Sequence, residues 1–333
     1  MPITNPDSFG IIGMGAWGTA LAMVAARSGR SVSIWGRNPD IATSLSDGEG
    51  NPAYLNGISV PALEASTDPA ILERSEVILA VAPAQHMRAA LNQASQFISQ
   101  GTPVLLCAKG IERQSLKLMT TVLEEALPDA LPAVLSGPSF AHDVARGLPT
   151  AVTLACADEE VGSALVQAIG QPMFRPYWSP DLIGAEVGGA VKNVLAIACG
   201  IVEGLELGKS AHAALLSRGF AEMRRLAVAL GAEDRTLSGL SGLGDLVLTC
   251  SSSQSRNMSF GIALGKGEKA SDVLSRRSSV TEGAATAPSL ALLASKLGVE
   301  MPICEAIDKI LRSETTVDQA ITRLLDRPFK EES

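Results

Sequence analysis

The chain has 333 residues, which is more than one hydrophobic core usually organises, so its length predicts two domains. Apolar residues make up 46% of the sequence and charged residues 19%, a globular composition that excludes a largely disordered protein. The formal net charge of −8 argues against a nucleic-acid partner, because a phosphate backbone attracts a basic surface. A small phosphorylated ligand remains compatible with this charge if Lys and Arg cluster locally.

The cysteine and histidine content indicates neither a metal site nor a disulfide framework. The five cysteines are an odd number, are widely spaced and form no CxxC pair, and there are three histidines. This pattern predicts no bound metal and favours the reducing cytoplasm. The uncharged segment 9–26 is unlike a signal peptide, because no Lys or Arg precedes it and glycines interrupt it. We therefore expect neither a targeting signal nor insertion into a membrane.

Short apolar runs alternate with helical segments in the first half of the chain. This pattern is typical of a parallel, doubly wound sheet. A helix is expected at 16–28, and strands are expected at 8–13, 31–35, 76–82, 103–108, 133–136, 151–156 and 173–178.

The pattern changes after Pro180, where Ala-, Leu- and Gly-rich segments with helical spacing replace the strands. The chain is therefore predicted to divide into an α/β domain at 1–180 and an all-helical domain at 181–333. Helices are expected at 182–206, 211–230, 237–251, 256–264, 288–297 and 303–312.

A glycine motif lies between the first expected strand and the first expected helix. Gly13 suits the tight turn, Gly15 a close approach to a pyrophosphate, and Gly18 close packing of helix on strand. The N-terminus of the helix then faces the phosphates. The alternative is a glycine-rich turn with no role in binding, but the strand–turn–helix context favours a Rossmann-type dinucleotide site.

The end of the second strand favours NADP(H) as the cofactor. NAD-specific proteins usually place an acidic residue there to bind the ribose 2′-hydroxyl, whereas this chain places Arg37 and has no carboxylate until Asp40. An arginine can fork onto a 2′-phosphate. NAD(H) remains possible, and the alternative interpretation of Arg37 is a solvated loop cation.

Other residues are expected at the carboxyl edge of the sheet, where doubly wound folds bind their ligands. Lys109 closes the apolar run 104–108, and residues 136–141 (SGPSFA) follow the fifth strand. Lys109 is therefore expected to project toward a ligand, although an exposed lysine at the start of a loop fits the local sequence equally well.

Lys192 is the most unusual charge in the sequence. It lies within 189–193 (GAVKN), inside an otherwise mostly apolar run from 183 to 201. An unpaired charge in a helix core is strongly disfavoured, so Lys192 must reach a partner or a substrate. A buried ion pair with Glu186 or Glu203 is one interpretation of this lysine.

Two further groups carry chemistry in the helical half. Asp245 and Thr249 stand four residues apart and share one face if their segment is helical. Ser255, Arg256 and Asn257 suit the start of a helix, where an arginine fork beside an amide makes a phosphate clamp. Ordinary helix capping is the alternative interpretation of this triplet.

Taken together, these motifs resemble those of the bacterial NAD(P)-dependent glycerol-3-phosphate dehydrogenases, whose helical domain is 6-phosphogluconate dehydrogenase-like. The resemblance runs in family order across nearly the whole chain. It is carried by residues 13–22 (GMGAWGTALA), 108–111 (AKGI), 136–141 (SGPSFA), 188–194 (GGAVKNV), 218–223 (RGFAEM), 239–250 (GLSGLGDLVLTC), 254–257 (QSRN) and 280–283 (VTEG).

The resemblance implies reversible reduction of dihydroxyacetone phosphate to sn-glycerol 3-phosphate, which supplies phospholipid biosynthesis. It also implies that Lys192 is the general acid/base. Burial and a second cation at Lys109 are expected to lower the pKa of Lys192 toward the working pH. The implied substrate contacts are Lys109, Gly137, Ser139, Lys192, Asn193, Asp245, Thr249, Ser255, Arg256 and Asn257. The implied cofactor contacts are Gly13, Gly15, Ala16, Trp17, Gly18, Arg37, Lys109, Ala141, Arg256, Val280 and Glu282.

Two positions depart from the family pattern. Ala16 stands where a serine is common, and the segment 209–212 (KSAH) lacks the usual Asn and basic pair, so we assign no role to Ser210 or His212. Two alternatives stay open at this stage: a related dehydrogenase for another hydroxy acid or phosphosugar, and a non-catalytic dinucleotide-sensing module. The Gly- and Ala-rich helical half is also compatible with a homodimer.

Overall fold

The structure is a computed structural model that describes residues 5–277, 280–328 and 331. The chain forms two compact units. The first comprises Met1–Ala108 and Met119–Ala185, and the second comprises Lys109–Leu118 and Glu186–Ser333. Lys109 and the segment after it therefore belong with the C-terminal half of the chain, a feature that the sequence pattern does not reveal.

The first unit is built on one sheet of eight strands. The strands are β1 Ser8–Ile12, β2 Ser31–Trp35, β3 Glu64–Ser66, β4 Val77–Ala80, β5 Pro103–Leu106, β6 Leu131–Ser136, β7 Thr150–Ala155 and β8 Phe174–Ser179. Their order across the sheet is β3-β2-β1-β4-β5-β6-β7-β8. Crossover helices connect neighbouring parallel strands, which confirms the predicted Rossmann-type doubly wound fold.

The sheet differs from the prediction in two respects. It is not wholly parallel, because β7 pairs antiparallel with β6, with Val134 opposite Ala155. Strand β3 was not predicted from the sequence. It has only three residues and lies at the edge of the sheet, so it carries no apolar run of its own.

Helices cover both faces of the sheet and close two hydrophobic clusters, which are centred on Phe9 and on Ile78. The first helix, α1 (Ala16–Arg27), is buried along most of its length, from Gly18 to Ala25. The helices of this unit are α1 Ala16–Arg27, α2 Pro39–Ser46, α3 Met87–Ala94, α4 Met119–Ala126, α5 Ala141–Ala145 and α6 Glu159–Ile169, with 3-10 turns at Pro69–Leu72, Ala84–His86 and Ser95–Phe97.

The part of the second unit that the structure describes is helical, as predicted. Its first helix begins in the first unit and is long and apolar enough to cross a membrane, but 94% of that apolar window is buried in the protein, as in a core helix. The helices are α7 Leu182–Gly204, α8 Lys209–Ala229, α9 Asp234–Leu237, α10 Asp245–Ser251, α11 Arg256–Gly265, α12 Ala270–Ser275, α13 Glu282–Leu297, α14 Pro302–Leu311 and α15 Val317–Leu325, with a π-helical turn at Leu240–Gly244.

Two helix predictions are wrong. The expected helix at 237–251 is interrupted, because the π-helical turn separates α9 from α10. Helix α13 begins at Glu282, six residues before the predicted start at 288, and it contains Pro288. A proline is common at the first position of a helix, where its missing N–H costs nothing, so the sequence suggested a start that the structure does not have.

Glycines let α7 and α11 touch backbone to backbone. A Cβ at Gly261 would lie 2.0 Å from the carbonyl oxygen of Ile197, and one at Gly200 would lie 2.2 Å from that of Met258. Real Cβ atoms essentially never come this close, so both positions require glycine. The contact holds α11 closely against α7, the helix that carries Lys192.

Candidate active site

The glycine motif forms the tight turn between β1 and α1. Gly13 adopts φ +122°, a conformation that side chains disfavour, and its N–H donates to the carbonyl oxygen of Trp35. A Cβ at Gly18 would lie 1.8 Å from the carbonyl oxygen of Gly13, so the helix packs directly on the turn. A Cβ at Gly15, by contrast, would meet nothing within 4 Å. The backbone at Gly15 therefore borders open space, as close approach to a phosphate requires.

A cavity of about 280 Å³ opens beside this turn and is lined by Arg37. The Arg37 side chain is exposed, and the following Asn38 caps α2 by accepting from the N–H groups of Asp40 and Ile41. Pro39 at the first position of α2 completes this start. The local sequence thus fixes the loop that carries Arg37 at the cavity.

Two observations show that the residues beside this cavity are suited to bind a dinucleotide. The indole Nε1 of Trp17 is buried without a hydrogen-bond partner in the part of the chain that the structure describes, and the backbone at Gly15 is open. Asn51 braces the same turn, because its buried Nδ2 donates to the carbonyl oxygen of Met14 and to Thr19 Oγ1. Asn51 lies in no motif and far from the turn along the chain, so it was not among the predicted site residues.

The segment after β6 also belongs to the first unit. Gly137 adopts φ +147°, and a Cβ there would lie 2.9 Å from the Cα of Val152. Ser139 Oγ donates to the carbonyl oxygen of Gly137, and Ala141 begins α5. The predicted residues of this segment therefore form one tight, glycine-dependent turn at the end of a strand.

In the second unit, Lys192 and Lys109 share one carboxylate. Lys192 Nζ lies 2.5 Å from Asp245 Oδ1, and Lys109 Nζ lies 2.7 Å from Asp245 Oδ2. Lys192 also donates to Thr249 Oγ1 at 2.8 Å. Helix α10 places Asp245 and Thr249 on one face, as their spacing predicted. The suggestion that Lys192 pairs with Glu186 or Glu203 is replaced by this observed pairing with Asp245.

Burial controls the electrostatics of this group. It lowers the pKa of Lys192 to about 8, a shift that Lys109 reinforces and Asp245 opposes. Burial alone would raise the pKa of Asp245, but the ammonium groups of Lys109 and Lys192 outweigh it and hold that pKa below its ordinary value. With both lysines as ammonium groups and Asp245 as a carboxylate, this group carries one net positive charge, and burial makes the Lys192 ammonium more acidic than an ordinary lysine.

The π-helical turn positions Asp245. Its wider winding brings the carbonyl oxygen of Ser241 against α7, where a Cβ at Gly188 would lie 2.4 Å from that oxygen. Gly188 lies one turn before Lys192 on the same helix. The close packing of this turn on α7 thus sets where α10 begins relative to Lys192.

The triplet at 255–257 opens helix α11. Ser255 is the N-cap, and its hydroxyl accepts from the N–H of Met258. The Arg256 side chain is exposed, and its guanidinium has no hydrogen-bond or ion-pair partner among residues 5–277, 280–328 and 331. Arg277, which the sequence analysis missed, donates to the carbonyl oxygen of Arg256 and lies 5.6 Å above the ring of Phe260.

Asparagine side chains connect this helix to the lysines. Asn193 Nδ2 donates to the carbonyl oxygen of Lys109, and Asn257 Nδ2 donates to Asn193 Oδ1. Asn257 Oδ1 accepts from the N–H of Gly283, at the start of α13. Glu282 is the first residue of that helix, and Val280 just before it is exposed.

The structure thus links six predicted residues of the second unit: Lys109, Lys192, Asn193, Asp245, Thr249 and Asn257. Ser255 and Arg256 adjoin this set along the chain, whereas Gly137, Ser139 and Ala141 belong to the first unit. An ammonium near its pKa can give or take a proton, and a free guanidinium can bind a phosphate. The part of the chain described holds no cluster of His, Cys, Asp and Glu suited to a metal ion.

Known proteins resemble this chain along nearly its whole length. The N-terminal and C-terminal models of the NAD-dependent glycerol-3-phosphate dehydrogenases match residues 8–162 and 181–322. The chain is 60% identical to a glycerol-3-phosphate dehydrogenase (NAD(P)+) of Maricaulis maris over 97% of each chain. It is 58% identical to one of Caulobacter vibrioides, over 98% of this chain and 99% of that one.

Solved structures agree with these sequence matches. A glycerol-3-phosphate dehydrogenase of Coxiella burnetii superposes with a TM-score of 0.92 at 38% identity, over 96% of this chain and 99% of that chain. A ketopantoate reductase of Ralstonia eutropha, at 15% identity and a TM-score of 0.59, shares the fold alone. The chain therefore belongs to the family of the NAD-dependent glycerol-3-phosphate dehydrogenases.

Proposed function

We propose that this protein reduces dihydroxyacetone phosphate to sn-glycerol 3-phosphate, reversibly, and thereby supplies glycerol 3-phosphate for phospholipid biosynthesis. The observation that carries the proposal is the buried Lys192, held by Asp245 and Thr249 beside a second ammonium. The names of the relatives support the same activity. A dinucleotide-sensing module would need no buried proton donor of this kind.

Lys192 is the general acid/base in this proposal. Reduction of a ketone turns the carbonyl oxygen into an alkoxide, which the Lys192 ammonium stabilises and then protonates. In the reverse direction, neutral Lys192 accepts the proton of the substrate hydroxyl. Asp245 and Thr249 hold the nitrogen in one orientation through both steps. The net positive charge of the group favours both the phosphorylated substrate and the developing alkoxide.

NADP(H) is the proposed cofactor, and NAD(H) is the proposed weaker alternative. When bound, the nicotinamide supplies the hydride that reduces the carbonyl carbon. Arg37 favours a 2′-phosphate because this arginine lines the cavity beside the glycine turn. The proposed cofactor contacts are Gly13, Gly15, Ala16, Trp17, Gly18, Arg37, Lys109, Ala141, Arg256, Val280 and Glu282.

Arg256 is the proposed anchor of the substrate phosphate, because its guanidinium lies at the start of α11 and is unengaged among the described residues. For Asn257, the contact with the phosphate runs through its backbone N–H, since its side chain is already committed inside the protein. The other proposed substrate contacts are Lys109, Gly137, Ser139, Lys192, Asn193, Asp245, Thr249 and Ser255.

The proposed working form is a soluble cytoplasmic enzyme made of a cofactor domain (1–180) and a substrate domain (181–333). All five cysteines are buried free thiols, which suits a reducing compartment. We also propose a homodimer, on the grounds of the exposed apolar side chains Val228, Leu243 and Val247 on the helical unit.

Steady-state kinetics with dihydroxyacetone phosphate, comparing NADPH with NADH, tests the proposed function. We expect oxidation of both cofactors, with a higher kcat/KM for NADPH. The Arg256→Ala variant separates the phosphate from the rest of the substrate. With NADPH saturating, so that its contact with Arg256 does not limit the rate, the variant should raise the KM for dihydroxyacetone phosphate strongly and leave the weak reduction of phosphate-free dihydroxyacetone unchanged. An equal loss of kcat/KM with both ketones would show that Arg256 does not bind the substrate phosphate.

A further inference from the structure

A row of three hydrogen bonds runs through the second unit, from the start of α13 to Lys109. The N–H of Gly283 donates to Asn257 Oδ1 at 2.9 Å, and Asn257 Nδ2 donates to Asn193 Oδ1 at 2.8 Å. Asn193 Nδ2 then donates to the carbonyl oxygen of Lys109 at 3.1 Å. We name this row the asparagine relay. Asn193 and Asn257 are 5% and 7% exposed, so water does not replace these bonds readily.

The two ends of the relay fix the orientation of both amides. A backbone N–H at one end requires an oxygen from Asn257, and a backbone carbonyl at the other end requires an N–H from Asn193. Each middle residue must therefore donate on one side and accept on the other. Among side chains of this length only asparagine does both, because a carboxylate only accepts.

The first end of the relay replaces the ordinary cap of α13. Thr281 is the N-cap residue, but its side chain accepts no hydrogen bond from the helix. The N–H of Gly283, one of the unpaired donors of a helix start, is satisfied by Asn257 instead. Gly283 is also pressed against α7, since a Cβ there would lie 2.3 Å from the carbonyl oxygen of Asn193. The start of α13 is thus held against α7 by the relay, so that the two move together.

The other end of the relay holds Lys109 by its backbone while Asp245 holds it by its ammonium. The carbonyl oxygen of Lys109 accepts from Asn193, and Lys109 Nζ donates to Asp245 Oδ2. A displacement of α13 therefore moves the Lys109 backbone, and with it the ammonium that shares Asp245 with Lys192. Hydrogen bonds aligned in one direction also polarise one another, so loss of one weakens its neighbours.

We propose that Asn193 and Asn257 are positioning residues that couple binding of the cofactor at the start of α13 to binding of the substrate at Lys109. This inference rests on the proposed function, in which Val280 and Glu282 contact the cofactor and Lys109 contacts the substrate. Cofactor that orders the start of α13 orders Lys109 through the relay, so each ligand binds more tightly when the other is present.

The test uses NADPH and sn-glycerol 3-phosphate, two reduced compounds that bind together without reacting. The dissociation constant of NADPH is measured by fluorescence with and without saturating glycerol 3-phosphate. In the natural protein we expect glycerol 3-phosphate to tighten NADPH binding by about 5-fold or more. In Asn257→Asp, which keeps the bond to Gly283 and loses the donor to Asn193, the ratio should fall to near one.

Two further variants make the result decisive. Asn193→Ser breaks the Lys109 end with a short neutral side chain, and it tests the proposal if Asn257→Asp fails to fold. Ser289→Ala is the matched control, because Ser289 is also buried on α13 and its hydroxyl has no partner among the described residues. It should keep the natural ratio.

A merely structural role for the relay would weaken both affinities and leave their ratio unchanged. An unchanged ratio of NADPH dissociation constants in the relay variants would contradict the proposed coupling. A ratio of one in the natural protein would contradict it as well. If the natural protein binds neither NADPH nor glycerol 3-phosphate, the proposed function fails and the relay falls with it.

Discussion

Lys192 and Asp245 form a buried ion pair, with Lys192 Nζ 2.5 Å from Asp245 Oδ1, and each residue is at most 6% exposed. Lys109 binds the other oxygen of the same carboxylate. One carboxylate between two ammonium groups holds both of them in place without neutralising the site. The pair therefore orients a proton donor and still leaves positive charge for a phosphorylated substrate.

The pH dependence of turnover should report on Lys192. Since burial lowers the pKa of Lys192 to about 8, the ammonium that donates the proton is lost above that pH. We expect kcat/KM for ketone reduction to be level below pH 8 and to fall above it, and alcohol oxidation to rise through the same range. Profiles measured in both directions check this. If kcat/KM changed with pH in the same direction for reduction and for oxidation, Lys192 would be excluded as the shared acid/base.

Substitution of Asp245 by asparagine should shift the pH at which kcat/KM for ketone reduction begins to fall. Burial and Lys109 lower the pKa of Lys192, and Asp245 is the main group that raises it, so Asp245→Asn removes the largest opposing influence. We expect the limb for reduction to shift to lower pH and the protein to lose about 3–5 kcal/mol of unfolding free energy, because a buried charge loses its partner. An unshifted limb would show that the observed pKa belongs to another group.

Arg37 should determine the preference for NADPH. If its guanidinium binds the 2′-phosphate, Arg37→Ala should raise the KM for NADPH roughly 10- to 100-fold and leave that for NADH nearly unchanged. Arg88→Ala is the control, because Arg88 also lies in the first unit but pairs with Glu125. Equal effects of Arg37→Ala on both cofactors would assign Arg37 to the solvated loop cation that the sequence also allows.

The glycine contact between α7 and α11 should be needed for both stability and phosphate binding. In Gly261→Ala the new Cβ would lie 2.0 Å from the Ile197 carbonyl oxygen, so the helices must separate, at about 1–3 kcal/mol. We expect a lower thermal midpoint and a higher KM for dihydroxyacetone phosphate. Gly219→Ala is milder, since its Cβ would meet only the flexible Leu195 side chain. Equal losses in the two variants would contradict this account.

Glu222 gives the protein a pH-dependent stability. Burial raises the pKa of this carboxyl from 4.5 to about 7, although it accepts from the N–H groups of Ile303 and Cys304. Between those pH values the folded state holds a proton that the unfolded state releases, so the stability from this group is lost as pH rises. The thermal midpoint of Glu222→Gln relative to the natural protein should therefore improve from pH 5 to pH 8. A constant difference would contradict the assignment.

Much of the fold was predictable because local pattern and tertiary structure agree. The boundaries of β2 and α1 follow from hydrophobic spacing and from the glycine motif. Strand β3 and the antiparallel pairing of β7 were not predictable, because neither leaves a local signal. The helix predicted at 237–251 failed because close packing of the π-helical turn on α7 overrides local helix preference.

The sequence predicted which residues form the site, but not which of their side chains contact one another. Lys192 is conspicuous as a charge in an apolar run, yet its partner Asp245 lies 53 positions away, where only the fold brings it near. The hydrogen bond between the Asn257 and Asn193 side chains also has no sequence signal, since an asparagine beside an arginine fits a phosphate clamp equally well. Asn51 and Arg277 stand outside every motif and emerged only from their contacts.

The most direct test of the central claim is pre-steady-state oxidation of NADPH by dihydroxyacetone phosphate in Lys192→Met, a variant of similar length without the ammonium. We expect the variant to bind NADPH with natural affinity and to transfer hydride about 10²- to 10⁴-fold more slowly, because the alkoxide lacks its proton donor. A variant that binds NADPH and reduces the ketone at the natural rate would contradict the assignment of Lys192 as the proton donor.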